Sequence, residues 1–360
     1  MNFFLTNQFM YNKNYLFLST LLTFLIIAFY HLSSGLIMSP DSYAYSRWAD
    51  DLIKLNFNLF DYYVQSTFIV SPYFYTAPVL IVALLKVIFG SEWQNAFLIL
   101  NLILVLCSLI IFAKSLLILR VAPFLIILAM PILIVSVDLL LWPRYILSDM
   151  NFAFLVIFVT YMVIKGIVRN KFNYLTLLFA MFLIFISRPA SLPIIFAIVA
   201  FIIILRFNIS NTPKIILLIT LISLFITPLI FSTIYYLVEL NGYENPQLIR
   251  IFSWIKAGMI SNNRPETSVG PPSTFIDVAY IYFLRFINFF NPYAISFSKI
   301  HIILNLFQTL LILSSIVVWY FFNSNKLFDR TFLFILLLSF SVAAFHSFTI
   351  IDYDWRYRFP

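Results

Sequence analysis

The sequence predicts an all-α membrane protein, a polytopic bundle of about nine transmembrane helices, and three observations lead to that prediction. Hydrophobic residues make up 63% of the 360 residues, and the mean hydropathy is +1.00. Charged residues amount to only 10%. Long apolar runs recur along the chain, and a run of about 20 residues is what a helix needs to cross a bilayer. Soluble domains are closer to half apolar, so we exclude that class.

The spans are predicted in order along a single domain of residues 1–360. The first, Asn14–Ile37, follows Lys13, is too long for a signal-peptide core and has no small-x-small cleavage site, so it should remain as an uncleaved helix. The other predicted spans are Trp93–Leu119, Val121–Leu141, Met150–Gly166, Tyr174–Ser187, Leu192–Leu205, Ile215–Leu240, His301–Phe322 and Thr331–Ile351.

Charge is concentrated directly after the first span, in the segment Ser39–Leu52. Pro40 favours a helix start, which would place Asp41 in the first turn. The apolar residues of the segment recur at helical spacing and form one stripe, with the acids mostly off it. They are Tyr45, Trp48, Ala49, Leu52 and Ile53. Such a helix is expected to lie along a membrane surface.

Two long loops, residues 38–92 and 241–299, are predicted to lie on the outer side of the membrane. Within the first, Ala77–Phe89 is apolar but short, contains Lys86 and is followed by Gly90, so we interpret it as an interfacial helix. With this interpretation, the remaining short turns are basic and are predicted to lie inside, because lysine and arginine are enriched in short cytoplasmic loops.

This topology places the main polar clusters on one outer side, beside apolar surroundings. Ionisable residues at a membrane boundary are costly, so their convergence indicates a substrate or ion site. A carboxylate suits proton abstraction from a hydroxyl, and guanidinium groups suit a phosphate. The candidate residues are Asp41, Tyr45, Arg144, Asp149, Arg188, Arg356 and Arg358.

No metal site is predicted, because His31, His301 and His346 lie in or beside separate apolar runs without ligand spacing. A divalent metal therefore has no support from the sequence. The single cysteine, Cys107, excludes a disulfide framework. We attribute the net charge of +8 to basic loops that face anionic lipid headgroups, and we do not expect nucleic-acid binding.

Several short motifs, in order along nearly the whole chain, resemble landmarks of the GT-C membrane glycosyltransferases. They are the Ser39–Leu52 segment, Pro78 to Gly90, Leu147-Ser-Asp149 and Asp354 to Pro360. The resemblance is nearest to the branch that contains protein O-mannosyltransferases and lipid A aminoarabinose transferases.

The resemblance implies roles for several residues. Asp41 matches the catalytic acid of the first outer loop, and Asp149 matches a second outer acid. Arg188 matches a basic residue that contacts the lipid-linked donor, while Arg356 and Arg358 match a later outer motif. The implied reaction is inverting transfer of a sugar from a polyprenyl phosphate to a glycan, lipid or protein acceptor. The implied location is the outer face of a bacterial cytoplasmic membrane.

Alternatives remain open for the residues and for the function. Asp41 and Asp149 can each be explained as helix caps, and Arg144 and Arg188 as side chains that reach lipid headgroups. A transporter or flippase of a lipid-linked saccharide would use the same acids and arginines as a path, although the sequence shows no internal repeat. A polysaccharide polymerase or ligase is chemically close to the transferase.

Overall fold

A computed structural model describes residues 2–65, 72–136, 139, 141–206, 275–293, 298–322 and 326–348. These residues are mostly helical, and among them the only β-type pairing is an isolated bridge between Ile37 and Tyr145. The all-α class predicted from the sequence is therefore confirmed for the described part of the chain. The chain divides into two compact units, Met1–Ser191 and Leu192–Phe359.

Eight α-helices are defined among the described residues of the first unit; Asp41, Tyr45 and Asp149 lie on them, whereas Arg144 lies in a 3₁₀ turn and Arg188 in the break after the eighth helix. Short 3₁₀ turns at Pro72–Tyr75, Gly90–Glu92, Leu133–Val135 and Trp142–Arg144 connect them. The helices are α1 (Asn2–Ser34), α2 (Pro40–Lys54), α3 (Leu59–Gln65), α4 (Thr76–Phe89), α5 (Trp93–Ile118), α6 (Pro123–Ile132), α7 (Asp149–Arg169) and α8 (Tyr174–Phe185).

The core of this unit forms where α1, α5, α6 and α7 meet. Ile27, Val105, Met130 and Met150 are buried there together, each at most 2% exposed. Full burial of side chains of this size contributes about 1.5–3 kcal/mol each in water, and close packing supplies contacts that lipid does not. The cluster includes Met150 and so fixes the amino end of α7, next to the candidate residue Asp149.

Helix α2 begins where the sequence predicted. Ser39 is its N-cap: the Ser39 hydroxyl accepts the Ser42 backbone N–H, and the Ser42 hydroxyl accepts the Ser39 N–H. Pro40 occupies the first turn, where its missing N–H costs nothing. Of the predicted apolar stripe, Tyr45, Ala49 and Leu52 are buried.

The predicted single helix over Val121–Leu141 is wrong. Helix α6 ends at Ile132, a 3₁₀ turn follows to Val135, and Ser136 is extended. Pro131 lies one residue before the helix end and, lacking an N–H, cannot continue the ladder of hydrogen bonds. The predicted interfacial helix Ala77–Phe89 corresponds to α4, which ends at Phe89 and is followed by Gly90 with a positive φ of 54°.

Four helical stretches among the described residues are long and apolar enough to cross a membrane. They are Asn14–Ser34, Tyr73–Ile118, Asp149–Arg169 and Asp329–Ser347. Four shorter apolar helices accompany them, at Pro123–Ile132, Tyr174–Phe185, Ser191–Arg206 and Ile302–Val317. Membrane association is therefore supported, whereas a total of nine spans is not confirmed. The predicted span Ile215–Leu240 lies outside the described residues.

The second unit contains α9 (Ser191–Arg206, which starts at the boundary), α10 (Phe275–Phe289), α11 (Lys299–Phe322) and α12 (Lys326–Phe348). Aromatic contacts connect its helices. Phe201 of α9 meets Phe334 of α12 at 5.0 Å between ring centroids, and Phe289 of α10 stacks on His346 of α12 at 5.8 Å. Most of the second predicted outer loop, residues 241–274, is outside the described residues.

Candidate functional site

The site begins at the amino end of α2. Asp41 is exposed and lies in the first turn, where a carboxylate interacts favourably with the helix dipole. Because Ser39 provides the cap, the alternative in which Asp41 caps this helix is not what the structure shows. Asp41 and Tyr45 are four residues apart, so their side chains lie on neighbouring turns of the same flank.

Tyr45 connects α2 to the loop that precedes α7. Its ring is only 6% exposed, and its hydroxyl donates to Ser148 Oγ at 3.2 Å. Burial is the main cause that raises the pKa of Tyr45 well above its ordinary value, and the nearby Tyr75 adds to this. Tyr45 therefore keeps its proton at neutral pH and acts as a hydrogen-bond donor.

A buried ion pair lies directly beyond Ser148. Arg188 Nη1 donates to Asp149 Oδ1, and the two residues are 8% and 7% exposed. The guanidinium also lies over the Phe152 ring, with 5.9 Å from Cζ to the ring centroid. A buried charge is tolerated only when it is paired, which explains why these two groups occur together. Arg188 is therefore not a simple surface group that reaches for headgroups, and Ser148, not Asp149, is the N-cap residue of α7.

Two further hydrogen bonds fix the helix break that carries Arg188, between α8 and α9. Asn151 Nδ2 donates to Ser187 Oγ at 3.3 Å, which links the same break to α7. The Ala77 N–H donates to the Ile186 carbonyl at 2.9 Å, which links it to the start of α4. The break is thus held by α7 and by α4, and the Arg188 guanidinium itself is held by Asp149 and Phe152 of α7.

Arg144 has a different environment from the one expected for a phosphate ligand. Its Nε donates to the Gly35 carbonyl at 2.9 Å and its Nη2 to the Ser34 carbonyl at 2.8 Å. These carbonyls are at the end of α1, where helical partners are lacking. Asn101 of α5 holds the same loop by donating to the Pro143 carbonyl at 3.0 Å. Arg144 therefore caps α1, and nothing in this geometry tests whether it also binds substrate.

Sequence reasoning missed one charged contact of α2. Lys86 of α4 donates to Asp50 Oδ1 at 2.7 Å and to the Ser46 hydroxyl at 2.8 Å, and its side chain is 14% exposed. The isolated lysine in an apolar helix was the available signal. The contact holds α2 against α4.

The structure brings Tyr45, Asp149 and Arg188 into one region of the first unit, and Asp41 lies one turn before Tyr45 on α2. Arg356 and Arg358 lie outside the described residues, so their expected place beside this region is not tested. Within the described ranges, no three His, Cys, Asp or Glu side chains come close enough to hold a metal ion. The missed neighbours are Ser148, Asn151 and Ser187, ordinary polar residues whose role depends on three-dimensional contacts.

The chain was also compared with known proteins. No family model, no curated protein and no solved structure matches it. The resemblance to the GT-C glycosyltransferases therefore stays a hypothesis that rests on the residues named above.

Proposed function

We propose that this chain is a membrane glycosyltransferase, which moves one sugar from a polyprenyl-phosphate carrier to an acceptor at the outer face of the membrane. One observation carries the proposal. A helix that begins with an exposed acid, Asp41, is joined through Tyr45 and Ser148 to the buried pair of Asp149 and Arg188. A base and a phosphate-binding cation are the two groups that such a transfer needs.

In the proposed reaction, Asp41 accepts the proton of an acceptor hydroxyl. The oxygen of that hydroxyl forms a bond to the anomeric carbon of the donor sugar. The bond from that carbon to the phosphate oxygen breaks, and the electron pair leaves with the polyprenyl phosphate. Attack opposite to the leaving group inverts the anomeric configuration. The acceptor is a glycan, a lipid or a protein that presents such a hydroxyl.

Arg188 stabilises the charge of the departing phosphate. A guanidinium presents several N–H donors in a planar fork, so it can serve Asp149 and a phosphate oxygen together. Asp149 compensates the buried charge while the site is empty. We leave Arg144 out of the phosphate site, because two of its donors already serve the carbonyls of Ser34 and Gly35. Arg356 and Arg358 remain candidates for a second phosphate contact.

The proposal includes about nine spans, with α2 on the outer side of a bacterial cytoplasmic membrane. A membrane-impermeant thiol reagent tests this orientation. In a Cys107→Ser background, Lys54→Cys should be labelled in intact cells and Lys171→Cys only after lysis. The reverse pattern would place α2 inside and contradict the proposal.

Asp41→Asn tests the reaction itself. Ser39 caps α2, so this change should preserve folding, while loss of a general base should lower transfer about 10²–10⁴-fold. Each variant is returned to cells that lack the gene, and surface glycans are compared by mass spectrometry to identify the sugar that is lost. Asp51→Asn is the matched control, since Asp51 is on the same helix and pairs with Lys54 at the surface.

Full restoration of the glycan by Asp41→Asn would refute the assignment of the base. A transporter or flippase would then become the better explanation, since it needs the charges of a path but no proton abstraction. Accumulation of a lipid-linked saccharide with unchanged transfer in isolated membranes would support that second function.

A further inference from the structure

Three aromatic rings form a cluster beside the candidate site. The ring centroids of Tyr45 and Trp48 are 5.4 Å apart, those of Tyr45 and Tyr75 are 6.0 Å apart, and those of Trp48 and Tyr75 are 6.1 Å apart. Tyr45 is buried, whereas Trp48 and Tyr75 are partly exposed. The cluster therefore has a covered ring and two rings that reach the surface.

The two partly exposed rings belong to segments that also carry or contact groups of the proposed reaction. Trp48 is seven residues after Asp41, on the same flank of α2, and side chains of a helix lean towards its amino end. Tyr75 directly precedes α4, whose second residue bonds to the helix break that carries Arg188. Tyr45 of the same cluster contacts Ser148, the residue before Asp149, so the rings lie in the part of the first unit that carries the proposed base and the proposed phosphate cation.

The chemistry of a sugar ring matches this position. A pyranose has hydroxyls around its edge and C–H bonds on its faces, and the electron-rich face of an aromatic ring attracts such C–H bonds. A donor whose phosphate meets Arg188 and whose anomeric carbon is open to attack near Asp41 must place its sugar between them. Trp48 and Tyr75, which pack on Tyr45 near Ser148 and are partly exposed, offer aromatic surface in this region.

We propose that Trp48 and Tyr75 form an aromatic platform that binds one face of the donor's sugar ring. This inference rests on the proposed transferase function and adds a sugar subsite to it. The platform favours a pyranose whose C–H bonds lie mostly on one face of the ring. Its main competitor is a role as interface aromatics, which anchor the protein at the headgroup level and do not recognise sugars.

Binding of two lipids by the purified full-length protein in nanodiscs separates these roles. One probe is bare polyprenyl phosphate, and the other is polyprenyl phosphate that carries a single glucose or mannose. Trp48→Leu and Tyr75→Leu should weaken binding of the glycosylated lipid roughly three- to tenfold, the effect of one lost aromatic stacking contact. Binding of the bare lipid should change less than twofold.

Tyr43→Leu is the matched control, because Tyr43 is an aromatic residue of α2 that is 63% exposed on the other side. It should leave both affinities unchanged. If the leucine variants fail to fold, Trp48→Phe and Tyr75→Phe keep a ring, and at least half of the preference for the glycosylated lipid should remain. A ring-keeping variant that loses the whole preference would contradict the platform.

Equal weakening of both lipids by Trp48→Leu, or a preference that survives it, would overturn the platform and leave the transferase proposal intact. Equal binding of both lipids by the wild-type protein would also overturn it. If the wild-type protein bound neither lipid, the transferase proposal would fail as well.

Discussion

Arg144 and Arg188 look alike in the sequence, but the structure gives them different partners. Arg144 donates to two backbone carbonyls at the end of α1 and is partly exposed beside the Tyr30 ring. Arg188 donates to a carboxylate and is only 8% exposed. One arginine completes a helix, and the other carries a buried charge together with its counter-ion.

The difference shows which arginine needs a functional explanation. A helix end leaves carbonyls without partners, so the contacts of Arg144 follow from the needs of the backbone alone. A buried ion pair is weak support for stability, because desolvation offsets most of the attraction between the charges. Apolar side chains would pack at these two positions equally well. The pair of Asp149 and Arg188 is therefore a stronger candidate for function than Arg144.

Breaking the buried pair should give the largest effect on stability. Asp149→Leu leaves the Arg188 guanidinium buried without its carboxylate, which should cost about 3–5 kcal/mol. Arg188→Met should cost less, because the carboxylate can take up a proton whereas the guanidinium cannot lose one. Thermal unfolding of the purified variants in detergent measures both changes.

The double variant Asp149→Leu/Arg188→Met completes this comparison. Two apolar side chains should restore most of the lost stability. Under the proposed function, it should still fail to bind polyprenyl phosphate. A double variant that folds and binds the lipid as well as the wild type would show that the pair is only structural.

The local parts of this site could be predicted from the sequence, and the contacts could not. Pro40 and the apolar stripe were sufficient to place α2 and to put Asp41 in its first turn. The capping of α1 by Arg144 joins residues about 110 positions apart, and no short-range pattern encodes it. The pairing of Asp149 with Arg188 likewise depends on how α7 packs beside the break after α8.

Span boundaries show the same limit. Hydropathy alone extended the third predicted span to Leu141, because residues after Pro131 are nearly all apolar. The structure ends α6 at Ile132, where the backbone chemistry of proline outweighs the hydrophobic pattern. Apolar composition predicts that a segment is buried or in lipid, but it does not show that the segment is one helix.

Removing the cap of α1 should have an intermediate effect. Arg144→Ala deletes two hydrogen bonds from a charged donor, which should destabilise the protein by about 1.5–3 kcal/mol. Arg144→Lys should recover only part of this, since an ammonium lacks the fork that reaches both carbonyls. Thermal unfolding and binding of polyprenyl phosphate are measured together. Unchanged stability with lost lipid binding would make Arg144 a ligand and remove the contrast with Arg188.

The smallest expected effect is the loss of the hydrogen bond between Tyr45 of α2 and Ser148, which precedes the buried pair. Tyr45→Phe removes one hydrogen bond to Ser148, which should cost about 0.5–1.5 kcal/mol at neutral pH.

Burial raises the pKa of Tyr45, so the folded protein keeps a proton that an unfolded tyrosine releases above a pH of about 10. The stability that Tyr45 contributes is therefore complete below that pH and declines as the pH rises further. The phenylalanine side chain of the variant has no proton to release. The difference in unfolding free energy between wild type and variant should therefore stay constant from about pH 6 to about pH 9, and it should shrink above about pH 10. A difference that does not vary with pH would show that the Tyr45 hydroxyl is exposed to water, and it would separate α2 from the buried pair.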